Sequence, residues 1–213
     1  MMKRKCLSAV FMLLIMSVLQ AQPADFKAVA VAQTPALLEK IAQNTKAIQS
    51  LQADFIQEKK LSYLTEMQIS KGIMHYKSAN LLHWEYQTPT AFSFILNNSK
   101  IIMKNAKGTM QYNANSNKSF KAMSELILGM INGNGIQNSA DFNATLYSNG
   151  KQTLVKLVPI QKELKKMFQE VQLYLNQDYT ASKIEMTETS GDKTTISFSA
   201  VKKNITLPDT LFK

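Results

Sequence analysis

Residues 51–89, LQADFIQEKKLSYLTEMQISKGIMHYKSANLLHWEYQTP, contain three β-prone segments: Leu51–Lys59, Met67–Tyr76 and Leu81–Tyr86. Short polar breaks separate them where helices would be needed for a parallel sheet, so the stretch predicts an antiparallel meander. Side chains alternate between the faces of a strand, which puts Leu82, Trp84 and Tyr86 on one side and Leu81, His83 and Glu85 on the other. Ala91–Leu96 repeats the pattern, with Phe92, Phe94 and Leu96 aligned. Four consecutive strands thus offer an aromatic and aliphatic face that something must cover.

The same periodicities organise the rest of the chain. Thr34 and Pro35 supply an N-cap and a first-turn proline for a helix whose stripe is Leu37, Leu38, Ile41, Ile48 and Leu51. After the meander, strands are expected at Lys100–Met103 and Met110–Tyr112, with turns at Asn97-Asn98 and Lys107-Gly108. SFKAMSELILGMI, residues 119–131, breaks the alternation. It sets Phe120, Met123, Ile127 and Met130 on one helical stripe, widened by Leu126 and Ile131, with a stop at Asn132-Gly133. Strands resume at Asp141–Tyr147 and Gln152–Val158 across Asn149-Gly150, a strong hairpin signal. A short helix over Gln161–Phe168 precedes strands at Glu170–Leu175, Ser182–Thr187 and Thr194–Ala200, and the tail ending NITLPDTLFK reads as irregular. No βαβ rhythm appears. The fold class is mainly β (α+β), with roughly ten or eleven antiparallel strands and two main helices. Twist accumulates in so wide a sheet and must curl it, either into a closed barrel with a filled interior or into an open one plugged by helices.

The amino terminus reads differently. MMKRK is followed by an apolar run of about 14 residues and by small residues near Ala21, the pattern of a secretory signal peptide rather than of a retained membrane anchor. Residues 1–21 are therefore expected to be removed, leaving 22–213 as one domain. Cys6 precedes the apolar run instead of following it, so the signal is not that of a lipid-anchored protein. It is also the chain's single cysteine, and without it disulfides, thiolate catalysis and cysteine-bound metal are excluded. Losing Lys3, Arg4 and Lys5 from 25 bases leaves 22 against 15 acids. That balance suits anionic lipid headgroups or an acidic partner, and equally suits lysines scattered over solvated strand faces. Met67, Met74, Met103, Met110, Met123, Met130, Met167 and Met186 remain. Methionine adapts to variable apolar partners and also fills gaps in ordinary cores.

Candidate catalytic groups are sparse. His75 and His83 are the only histidines, on neighbouring strands and without a flanking carboxylate cluster. No G-x-S-x-G nucleophile elbow occurs, and Gly133-Asn134-Gly135 reads as a turn rather than a dinucleotide loop. Glu163, Glu170, Glu185 and Glu188 read as solvated charges, and no clustered basic run points to nucleic acid. The chain is expected to be no enzyme and to need no cofactor or metal.

The order of signal peptide, amphipathic helix, LQADFIQEKKLSYL, SKGIMHYKSANLLHWEYQTP and the closing GDKTTISF and LPDTLF resembles the periplasmic outer-membrane lipoprotein carrier family, LolA. The resemblance spans nearly the whole mature chain and is most specific at Leu51–Pro89. It implies an unclosed β-barrel, a helical lid and an apolar cavity for the acyl chains of a lipoprotein in transit through the periplasm. It also implies partners: acylated lipoproteins, an inner-membrane ABC transporter that releases them, and an outer-membrane receptor or the outer membrane itself. The expected cavity residues are Trp84, Tyr86, Phe92 and Phe94 on the sheet and Phe120, Met123, Ile127 and Met130 on the helix, in a monomer. The missing lipobox favours the carrier over the lipid-anchored receptor of the same fold. The chain departs from the family at one point. Well-studied carriers latch the lid with an arginine in a Lys-Arg-Pro-Asn run, whereas here the run is Lys77, Ser78, Ala79, Asn80, and serine is short and uncharged. A lipid- or lipoprotein-sensing module on this half-barrel, or a secreted lipid hydrolase, are the alternative functions.

Overall fold

Alternating apolar positions in both halves of the chain form two antiparallel meanders that share a single sheet. The computed structural model describes residues 25–78, 80–132, 136 and 140–213. A two-residue strand β1 (Lys27–Ala28) and a 3-10 turn lead into α1 (Thr34–Lys46). The first meander is β2 (Ser50–Lys60), β3 (Met67–Lys77), β4 (Leu81–Thr88), β5 (Phe92–Asn97), β6 (Lys100–Asn105) and β7 (Gly108–Asn113). α2 (Lys118–Asn132) follows. The second meander is β8 (Phe142–Ser148) and β9 (Thr153–Pro159), then α3 (Lys162–Met167), β10 (Phe168–Leu175), β11 (Ala181–Glu188) and β12 (Lys193–Lys203). A 3-10 turn at Asp209–Phe212 closes the chain.

The sheet order is β1-β8-β9-β10-β11-β12-β2-β3-β4-β5-β6-β7. The meanders join in the middle, where β12 pairs with β2 through Thr194 opposite Lys59 and Phe198 opposite Phe55. β1 and β7 are edges that do not pair with each other, so the curled sheet is an unclosed barrel. α2 leaves from β7 at one edge and returns to β8 beside the other, a connection that must cross a face of the sheet. It crosses the concave face, where Leu126 and Met130 join one core with Leu51, Phe55, Trp84, Leu173 and Ile196.

Local irregularities set the curvature. Pairing shifts register between Ser199 and Lys202, with Ala200 at φ 50°, and again at Lys71 and Gly72. Bulges of this kind bend a strand and increase its twist. Gly72 is required by close approach: a Cβ there would lie 1.8 Å from the Glu85 carbonyl oxygen and 2.7 Å from Cζ of Phe55. The Phe55 ring occupies that space and packs on Trp84 at 4.8 Å and Tyr86 at 5.2 Å between centroids.

Three expectations change. Thr34 is the first residue of α1 rather than its N-cap, and its hydroxyl donates to the Ala30 carbonyl. The helix ends at Lys46, so Ile48 and Leu51 are buried beyond it, where β2 draws the backbone into the sheet. Twelve strands form among the described residues, the additional one being β1, too short to alternate. The tail is not loose either. Ser50 Oγ donates to Ile205 O (2.5 Å), Lys77 pairs with Asp209 (2.5 Å), and Asn97 Nδ2 donates to Phe212 O (3.1 Å). Leu207 and Phe212 thereby cover Ile95 and Ile102 on the convex face as a second core. The expected signal peptide and the Gly133-Asn134-Gly135 turn lie outside the described residues. No helix among the described residues is long and apolar enough to cross a membrane.

Candidate functional site

Between the concave face and α2 lies a cavity of about 340 Å³. Alternation along the first meander supplies one wall: Leu51, Ala53, Gln57 and Lys59 from β2, Met74 from β3, Trp84 and Tyr86 from β4, and Phe92 and Phe94 from β5. α2 supplies the cover with Met123, Leu126, Ile127, Met130 and Ile131, the i, i+3, i+4 rows of one helix face. Phe120, one turn earlier, lies outside the lining. It is 39% exposed and meets Tyr112 of the edge strand β7 at 5.9 Å, because the first turn of α2 overhangs the sheet edge.

The opposite wall comes from the second meander: Ile184, Met186 and Glu188 of β11, and Thr194, Ile196, Phe198 and Val201 of β12. Sequence reasoning missed these residues. Their alternation was legible, but nothing local says which face of β11 and β12 continues the concave face of β2. Trp84 ties the walls together by an edge-on contact with Phe198 at 5.9 Å. The methionines divide: Met74, Met123, Met130 and Met186 line the cavity, whereas Met67 and Met110 are exposed.

Few polar groups reach this space. Tyr86 donates its hydroxyl to Gln57 Oε1 at 2.9 Å, and burial pushes the phenol above its ordinary pKa, so it stays a neutral donor. The Trp84 indole N–H is buried without a hydrogen-bond partner. Lys59 and Glu188 form an ion pair at 2.8 Å.

Ser78 and Lys77 do not reach across to α2. Ser78 Oγ donates to Gln49 Oε1 (2.9 Å) and its N–H to the Gln49 carbonyl (2.7 Å), fixing the turn after β3 to the α1–β2 connection. Lys77 holds the C-terminal turn through Asp209. α2 is set on the sheet by its apolar stripe, with Lys121 and Glu125 paired along its own outer surface at 3.8 Å.

His75 and His83 stack on the convex face, with ring centroids 5.9 Å apart, in register with Ile95 and Ile102. Burial pushes both below the ordinary histidine pKa, and Glu85 partly opposes it. They lie across the sheet from the cavity, and among the described residues no three His, Cys, Asp or Glu are grouped to hold a metal.

Compared with known families, residues 46–213 match the model for outer membrane lipoprotein carrier protein LolA. Among solved structures, MucB is similar with a TM-score of 0.50 and 9% identity, over 85% of this chain and 62% of that one. A LolA superfamily protein from Nitrosomonas europaea has a TM-score of 0.45 and 12% identity, over 84% of this chain and 96% of that one. A putative outer membrane lipoprotein-sorting protein domain from Vibrio parahaemolyticus has a TM-score of 0.46 and 15% identity, over 82% and 95%. No curated protein sequence gives a significant match. The family match takes in both meanders, the helix that covers the cavity and the C-terminal strap, and by it the chain belongs to the LolA family of outer membrane lipoprotein carrier proteins.

Proposed function

We propose that this protein is a periplasmic carrier that takes lipoprotein acyl chains into the cavity beneath α2 and shuttles lipoproteins from the inner to the outer membrane. The observation that carries the reading is the cavity itself: an apolar space between an aromatic sheet wall and a methionine-bearing helix, in a member of the LolA family. An inner-membrane ABC transporter that loads the cargo and an outer-membrane receptor, or the outer membrane itself, that receives it are the partners of this reading. The role is binding, with no catalytic step.

Magnitudes favour a carrier with an imperfect site. Burying an acyl chain is worth about 0.8 kcal/mol per methylene, so one chain of roughly sixteen carbons represents on the order of 12 kcal/mol. Three such chains, fully buried, would exceed the ceiling of roughly 18 to 21 kcal/mol for noncovalent affinity, and the cargo could not be released. A cavity of about 340 Å³ lies at the bottom of the range of about 300 to 1,000 Å³ for ligand pockets. It leaves part of a large cargo uncovered unless α2 lifts.

The test is depletion in the cell. Lipoproteins are expected to accumulate at the inner membrane when the protein is withdrawn; normal sorting would sink the carrier reading. In that event, lipid binding retained by the purified protein would point to a sensor, and ester hydrolysis to an enzyme.

A further inference from the structure

The cavity lining has a direction. Along β2 the inward positions run Leu51, Ala53, Phe55, Gln57, Lys59, so the concave face turns from apolar to polar over its last two members. Lys59 stands opposite Thr194 on β12, and its ammonium reaches over that strand to Glu188 of β11. At the other end the lining is Ile48, Leu51, Ala181 and Val201, with Thr180 as its polar residue. The Lys59 and Glu188 side chains are 31% and 28% exposed, so water reaches this end, while Ile48 and Leu51 are buried. An ion pair this exposed adds little to stability, and its partners can exchange for a ligand at small cost. It also faces inward, although cross-strand pairs serve equally well on the solvated convex face, where Lys156 and Glu170 form one.

We infer that Lys59 and Glu188 form the headgroup subsite of the cavity. The acyl tail lies toward Ile48, Leu51 and Val201, and the head stops between one ammonium and one carboxylate. This rests on the cavity being an acyl site and adds its polarity and the chemistry of the head. That head carries an acceptor for Lys59 beside a donor for Glu188, as a peptide amide or a phosphoethanolamine does.

The experiment uses the full chain with isotope-labelled methyl groups and two probes, palmitoyl lysophosphatidylethanolamine and an N-palmitoyl dipeptide amide. Each carries a nitroxide either at the chain end or on the head. The chain-end label should broaden Ile48 and Val201 methyls more than Met186, and the head label the reverse. The opposite order overturns the inference but keeps the cavity reading; no broadening of any lining methyl overturns both. In a second measurement, Lys59→Met with Glu188→Met should weaken the probe whose head matches by about tenfold, the worth of one charge-assisted hydrogen bond. Hexadecane, which has no polar head, should lose nothing. The probe with the larger loss identifies the head as peptide or phospholipid, and equal retention of both overturns the inference.

Discussion

Gly72 shows how one residue holds the site wall in place. A methyl group there meets the Glu85 carbonyl, part of a backbone that cannot rotate away, and the Phe55 ring that supports Trp84 and Tyr86. Gly72→Ala should therefore destabilise by at least the roughly 1 to 3 kcal/mol typical of overpacking; an unchanged urea midpoint would refute this packing account. The histidine pair supplies a second prediction. Buried His75 and His83 titrate below about 6.5, where they titrate once unfolded, so below that pH the unfolded chain binds more protons. Stability should be flat above about pH 6.5 and fall as the pH drops below it. Asp178, Asp192 and Asp209, all held below their ordinary carboxylate pKa, lose their contribution only at lower pH still. Urea titrations across that window check it, and His75→Phe with His83→Phe should flatten the slope.

Elements differ in what they stabilise. The inward stripe of α2 contains residues of two kinds: Ile127 is half-buried against the cavity, while Met130 is 6% exposed and belongs to the core. Ile127→Asp should weaken uptake of a lysolipid and leave the fold intact, since an unpaired charge facing hydrocarbon is poorly solvated. The Trp84 emission shift on adding the lipid reads uptake, and far-ultraviolet dichroism reads the fold; loss of fold with uptake intact would mean that α2 is core packing alone. The C-terminal strap acts differently. Phe212 is 1% exposed under the convex face, so Phe212→Ala should cost about 3 to 5 kcal/mol. A cost below about 1 kcal/mol, measured by urea unfolding, would show that the tail does not hold that face.

At the scale of the molecule, the two edges of the sheet stay apart and α2 bridges between them, so the cavity can widen without breaking strand pairing. A triacylated lipopeptide exceeds a space of about 340 Å³, and its binding should raise hydrogen exchange in α2 relative to β2–β5. Equal protection in free and loaded protein would exclude lid movement.

The sequence by itself determined the strands, their faces and the covering helix, because periods of two and of about 3.6 residues are properties of the local backbone. Trp84, Tyr86, Phe92 and Phe94 were placed together from alternation, and Met123, Ile127 and Met130 from helical spacing. Tertiary structure alone decided the rest. Alternation says which residues of one strand share a face, not how β12 pairs with β2, so Ile184, Ile196 and Phe198 could not be assigned to the cavity in advance. Glu188 read as solvated because its partner, Lys59, lies on a strand distant in sequence. Phe120 fits the helical stripe, yet the sheet ends beneath it at β7. The tail had no period to read, since Leu207 and Phe212 pack as separate anchors into a groove that exists only once the sheet has curled.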